Sequence, residues 1–143
     1  MPDYLLDTNH VTNLLAKNER LEARIRASAS REARFSISIT VLGELYFAVY
    51  ASQRRDENLR NLHSFLNDTI VRPFDEVEAK EFGRIQAEQK KKGRPIPPTD
   101  TQIAAVCRLH DLILLSADHH FQYVDDLQLE NWLLKPSAEK DRP

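Results

Sequence analysis

Apolar residues fall along this chain in two alternating rhythms. Tyr4-Leu5-Leu6 is a short apolar run that stops at Asp7-Thr8-Asn9, after which Val11, Leu14 and Leu15 recur at spacings of three and four. The first pattern is that of a buried strand, the second that of a helix with one apolar face. The sequence therefore predicts a strand over Tyr4–Leu6, a helix over Asn9–Lys17 and another over Glu19–Ala29. Arg34–Ile39, RFSISI, alternates polar and apolar residues at period two and reads as a second strand. Thr40 follows as the expected N-cap of a helix through Val41, Leu42, Leu45, Ala48 and Val49 towards Gln53. Asp56 opens a further helix carrying Leu59, Leu62, Phe65 and Leu66.

The second half continues the alternation. Ile70-Val71 is strand-like, and Val77–Lys91 is a long helical segment that Gly93 ends. GRPIPP is a breaker-rich loop. Thr99–Gln102, TDTQ, fits a capping box opening the helix IAAVCRLH. Leu112–Leu115 reads as a buried strand and Leu127–Leu133 contains the last one. Strands alternating with helices predict an α/β layer fold with a mainly parallel central sheet. The 143 residues suit a single domain over 1–135, with the polar stretch 136–143 as a flexible tail.

Composition narrows the classes little but usefully. One cysteine, Cys107, excludes an internal disulfide framework and a cysteine-rich metal site; its apolar neighbours make it a buried small hydrophobe. No apolar run approaches the ~18–20 residues of a membrane span, and no basic segment followed by an apolar one opens the chain. The setting expected is cytoplasmic, without membrane contact. A net charge of −2 argues against a passive nucleic-acid coat. It is compatible with an enzyme whose site gathers acids to hold a cation.

The candidate chemistry lies where strands stop. Asp7 and Asp118 each follow an apolar strand, Glu44 lies about one turn into the helix after the second strand, and Asp100 sits in the first turn of the helix before Leu112. In a parallel sheet these positions share the carboxyl-end rim, where α/β proteins bind ligands. Each acid alone has an ordinary explanation: an N-cap for Asp7, a solvated helix position for Glu44, a dipole contact for Asp100 and a turn for Asp118. Four converging carboxylates would repel one another unless protons, basic side chains or a divalent metal offset the charge. Oxygen-only ligands select Mg²⁺ or Mn²⁺.

Other constellations are weaker. Five histidines are present, but no H-x-x-x-H pair, and the neighbours His119 and His120 would not share a helix face. With three glycines, the chain shows no phosphate-cradling loop of the dinucleotide or Walker type. Lys90, Lys91, Lys92 and Arg94 form the one dense basic cluster, either a solvated helix end or a contact with RNA phosphates. Tyr46, Phe47, Val49 and Tyr50 make the Glu44 helix apolar on more than one face, which predicts a partner surface.

LLDTN at the first strand, GEL around Glu44, GRPIPPTDTQIAA around Asp100 and LLSADHHF around Asp118 together resemble the PIN-domain ribonucleases, and among them the VapC-type toxins of bacterial toxin–antitoxin pairs. The likeness runs from about Tyr4 to Leu133. It implies a PIN-like three-layer sandwich in which Asp7, Glu44, Asp100 and Asp118 are the catalytic, metal-binding acids, with Thr8, Asn9 and Ser116 in support. Ser116 stands where the family often has Thr, so the hydroxyl is kept. The resemblance also implies Mg²⁺- or Mn²⁺-dependent endoribonuclease activity by metal-activated water, a homodimer, and a cognate VapB-type antitoxin. Two rivals start from the same residues. A haloacid-dehalogenase-type phosphotransferase also opens with strand-then-Asp but wants a second acid two residues on, where Asn9 stands. A non-catalytic PIN-like RNA- or protein-binding module would not need four intact acids.

Overall fold

The segments read as strands become the strands of one sheet. In the computed structural model, which describes residues 2–134, the strands are β1 (Asp3–Leu6), β2 (Arg34–Ser38), β3 (Ile70–Arg72), β4 (Ile113–Leu115) and β5 (Gln128–Glu130). All neighbouring pairs are parallel, in the spatial order β3-β2-β1-β4-β5. The helices are α1 (Thr8–Leu15), α2 (Glu19–Ala29), α3 (Ile39–Tyr50), α4 (Arg55–Asn67), α5 (Glu76–Lys92) and α6 (Pro98–Leu109), and a 3-10 turn spans His119–Tyr123. The tail expected over 136–143 lies outside the described residues.

A parallel sheet is covered on both faces, so its strands need apolar residues at successive positions rather than alternate ones. Leu5, Leu6, Leu114 and Leu115 meet that need and are buried, as is Ile37 of β2. α1 to α4 pack as one group, while α5 and α6 pair with each other. The first group follows crossovers running outward from β1 towards β3, and the second follows the return past β1 to β4. Right-handed connections in these opposite directions place the two groups on opposite faces, giving three layers. The strand order reverses between β1 and β4, whose ends are level: Leu6 pairs with Leu115. That reversal opens a crevice at the carboxyl end of the sheet. Among the described residues no helix is long and apolar enough to cross a membrane.

Several local expectations are corrected. Ser38, not Thr40, caps α3: its Oγ accepts the Val41 N–H at 3.1 Å, because the chain leaves β2 directly into the helix. Thr40 instead donates to Gln102 of α6 at 3.1 Å. The Thr99–Gln102 capping box does not form, since α6 begins at Pro98 with Pro97 as its N-cap. Proline tolerates the first helical position because it has no N–H to leave unpaired. The reciprocal contact of a capping box appears on α5, where the Asp75 N–H donates to Glu78 at 2.7 Å. The last strand is shorter than the Leu127–Leu133 stretch expected to hold it, because only Gln128–Glu130 pairs with β4.

Candidate functional site

Asp7 is the first residue beyond β1, and its backbone N–H still donates to Leu115 of β4 at 2.9 Å. Its carboxylate caps α1 by accepting the Thr8 N–H at 2.8 Å. The other oxygen accepts the Ser116 hydroxyl at 2.6 Å. The capping reading therefore holds for this residue. Burial pushes the Asp7 carboxyl above its ordinary range; the Ser116 and Thr8 hydrogen bonds pull it back, and the charge of Asp118 adds to the rise.

The other acids converge from separate elements. Thr8 donates its hydroxyl to Glu44 of α3 at 2.8 Å, so one short α1 residue links two of the four acids. Burial raises the Glu44 pKa, and the neighbouring Asp7 charge raises it further. Asp100, in the first turn of α6, is pushed up to about 6, first by burial and then by the charge of Asp118, with a smaller push from Asp7. Asp118 caps the 3-10 turn by accepting the His120 N–H at 2.9 Å, and its own N–H donates to Ser116 at 3.0 Å.

His120 was not among the expected site residues. Its Nδ1 lies 3.0 Å from an oxygen of Asp100 and 3.0 Å from an oxygen of Asp118. Adjacent histidines would diverge on an α-helix, but here a 3-10 turn sets His120 over the acids while His119 stays exposed. The D-x-H spacing from Asp118 was the available signal.

Asn9 and His10 fasten the rim from behind. His10 is fully buried, and its Nε2 accepts the Trp132 N–H at 3.1 Å. The proton therefore sits on Nδ1, which donates to the side-chain Oδ1 of Asn9 at 2.8 Å. Burial holds the His10 pKa down at about 4. The same Asn9 oxygen accepts the Ala117 N–H at 3.4 Å, joining α1 to the loop after β4.

Ligand atoms of Asp100, Asp118 and His120 lie within 4.8 Å of one another. Asp7 and Glu44 complete the acidic rim. Like charges brought together in a partly buried cleft, with pKa values raised as a result, are what a bound cation would relieve. Carboxylate oxygens with one imidazole fit a hard or borderline divalent ion.

The basic cluster divides. Lys90, Lys91 and Arg94 are exposed, but the Lys92 amine lies 2.9 Å from Asp125 and donates to the Tyr123 carbonyl at 3.0 Å. The apolar excess of α3 is exposed at Phe47, 75%, and Tyr50, 58%. Beside it, Leu15, Leu45, Val49 and Leu62 line a cavity of about 260 Å³ between α1, α3 and α4.

Residues 4–127 match the PIN domain family. Ribonuclease VapC2 of Haemophilus influenzae is 34% identical over 134 residues, which cover 93% of this chain and 100% of that protein. The tRNA(fMet)-specific endonuclease VapC of Shigella flexneri is 31% identical over 133 residues, 92% of this chain and 99% of that protein. The structure of VapBC2 from Rickettsia felis bound to a promoter DNA fragment superposes with a TM-score of 0.85 at 26% identity, covering 91% of this chain and 98% of that one.

Proposed function

The chain belongs to the PIN-domain family, in its VapC ribonuclease branch, and from that membership we propose that it is the endoribonuclease toxin of a toxin–antitoxin pair, dependent on Mg²⁺ or Mn²⁺. The observation that carries the site assignment is the convergence of Asp7, Glu44, Asp100 and Asp118 on the rim beside the β1–β4 crevice. Asp7, Glu44, Asp100 and Asp118 would hold the cation, with Thr8, Asn9 and Ser116 keeping the rim in place. When bound, a divalent ion supplies activation of water and charge stabilisation for phosphodiester hydrolysis.

The chain's own residues do the positioning. Ser116 and the Thr8 amide fix both oxygens of Asp7, so this carboxylate has little freedom to rotate. The Thr8 hydroxyl orients Glu44. The His120 ring hydrogen bonds to Asp100 at 3.0 Å, and its Nδ1 lies 3.0 Å from an Asp118 oxygen, so it sits between the two acids. Lys90, Lys91 and Arg94 face solvent as contacts for RNA phosphates, while Lys92 serves the fold. Asn9 supports the site as a clamp between α1 and the β4 loop, not as the second acid that a haloacid-dehalogenase-type phosphotransferase requires.

The partner is a VapB-type antitoxin, supported by the likeness to VapBC complexes. The apolar surface of α3 and the adjoining cavity suit its hydrophobic segment. The same reading includes a homodimer, a cytoplasmic location and a single domain over 1–135. Incubating purified protein with total cellular RNA, in Mg²⁺ or in EDTA, beside an Asp7→Asn control, tests the activity. Discrete cuts leaving 5′-phosphates, seen only with metal and the wild-type protein, are the expected result.

A further inference from the structure

We propose that the cleft between the α5–α6 loop and the 3-10 turn is a subsite for an unpaired nucleotide of the RNA, with Arg94 and Tyr123 as its stacking platform beside the acid cluster. This rests on the endoribonuclease reading and assigns the residues of this chain that would hold such a nucleotide. The cleft has a volume of about 410 Å³ and is lined by Lys92, Gly93, Arg94, Pro95, His120 and Tyr123. That lies within the roughly 300–1,000 Å³ of small-ligand sites. His120 belongs to both places: it lines this cleft and touches Asp100 and Asp118 at 3.0 Å. Whatever occupies the cleft therefore adjoins the proposed cutting site.

The platform is built rather than incidental. The Arg94 guanidinium lies 4.4 Å from the centre of the Tyr123 ring. Its backbone is fixed from below, because the buried Gln89 carbonyl accepts the Arg94 N–H at 2.9 Å and the Gln89 amide donates to the Arg94 carbonyl at 3.0 Å. The Tyr123 side is fixed by Lys92 on Asp125 and on the Tyr123 carbonyl, and by Arg108, which donates to the Asp125 carbonyl at 3.3 Å. Lys92 is neutralised by that pairing. Arg94 makes no ion pair among the described residues, so it supplies the unspent positive charge of the cleft.

A guanidinium lying on an aromatic ring keeps one planar face open for a base, and its N–H edge remains available to a phosphate. A base inside a duplex has both faces covered by its neighbours. Only an unpaired base can offer a face to such a platform, which is the usual mode of single-strand recognition. The chemistry thus favours a nucleotide in a loop or single strand over a bare phosphate.

The test is equilibrium binding in EDTA of a short single-stranded oligoribonucleotide, and of its duplex, to the wild type, Arg94→Lys, Tyr123→Leu and Tyr123→Phe. Circular dichroism checks each fold. Tyr123→Leu should weaken single-strand binding about tenfold, with Tyr123→Phe close to wild type. Arg94→Lys keeps the charge but loses the planar face, and should weaken single-strand binding several-fold with little change for the duplex. Should Tyr123→Leu fail to fold, Arg94→Lys still decides the matter. Unchanged single-strand binding in the folded variants, or equal losses on single strand and duplex, would overturn the platform. Wild-type cleavage of total RNA is scored separately. If it is absent in every metal, the endoribonuclease reading fails, whereas the binding comparison still judges the platform.

Discussion

Asp7 caps a helix and carries charge on a crowded rim, and these roles pull stability in opposite directions. The cap favours ionisation, while burial and Asp118 oppose it. For Asp100 the balance is clearer, since its carboxyl is raised from 3.8 to about 6. A carboxyl with a raised pKa in the folded state destabilises the metal-free protein fully above about pH 6, and this penalty fades as pH falls towards 3.8. Asp100→Asn should therefore raise the melting temperature in EDTA at pH 7, by a few degrees, with the difference vanishing near pH 4; it should also cost orders of magnitude in RNA cleavage. His10 has the opposite pH signature. Its folded pKa of about 4 lies below the ordinary 6.5, so the unfolded chain takes up the proton first as pH falls. Stability attributable to neutral His10 is full above pH 6.5 and is lost down to about pH 4, by up to about 3 kcal/mol. Urea titrations across that range should show the loss in wild type and a shallower slope in His10→Gln. The four acids were legible in the sequence because each sits at a strand end or in an early helical turn. His120 was not, because its place depends on a 3-10 turn that periodicity does not reveal.

Element ends decide how the rim is presented. Ser38 is buried and satisfies the Val41 N–H of α3, the helix that carries Glu44. Ser38→Ala should cost about 1 kcal/mol in denaturant unfolding. At the other end of the site, Gly93 closes α5 with φ of 71° and turns the chain so that Arg94 meets Gln89. Beyond the glycine and its two chain neighbours no heavy atom lies within 4 Å of an added Cβ there, so Gly93→Ala would be strained by backbone conformation and not by crowding. A loss of about 1 kcal/mol is expected, together with weaker RNA binding as Arg94 is displaced. The helices and their order could be read from spacing. The exact caps could not, because Ser38 and Thr40 are both good candidates in isolation, and only the path out of β2 chooses between them. Of the prolines read as a breaker-rich loop, Pro95 and Pro97 stay in it, while Pro98 opens α6.

Across the whole molecule, alternation of strands and helices announced a parallel sheet but not its order. The order β3-β2-β1-β4-β5 is what brings Asp7 and Asp118 to adjoining strand ends, and it depends on long-range packing that no local pattern encodes. The same arrangement sets the acidic rim near the exposed Phe47 and Tyr50 of the Glu44 helix. An inhibitory partner should exploit both, laying apolar residues on α3 and extending an Arg or Lys towards Asp7, Glu44 and Asp100. Truncating that basic residue should preserve binding and abolish inhibition; full inhibition without any basic residue reaching the rim would mean that steric blockade suffices. The assignment of the rim itself is tested most directly by cleavage of a defined single-stranded RNA after exhaustive EDTA treatment, with Mg²⁺ or Mn²⁺ then restored, by the wild type and by Asp7→Asn. The wild type should be silent in EDTA and recover with either ion without added Zn²⁺, while Asp7→Asn stays folded and orders of magnitude slower. Cleavage that survives EDTA, or an Asp7→Asn protein as fast as the wild type, would contradict it.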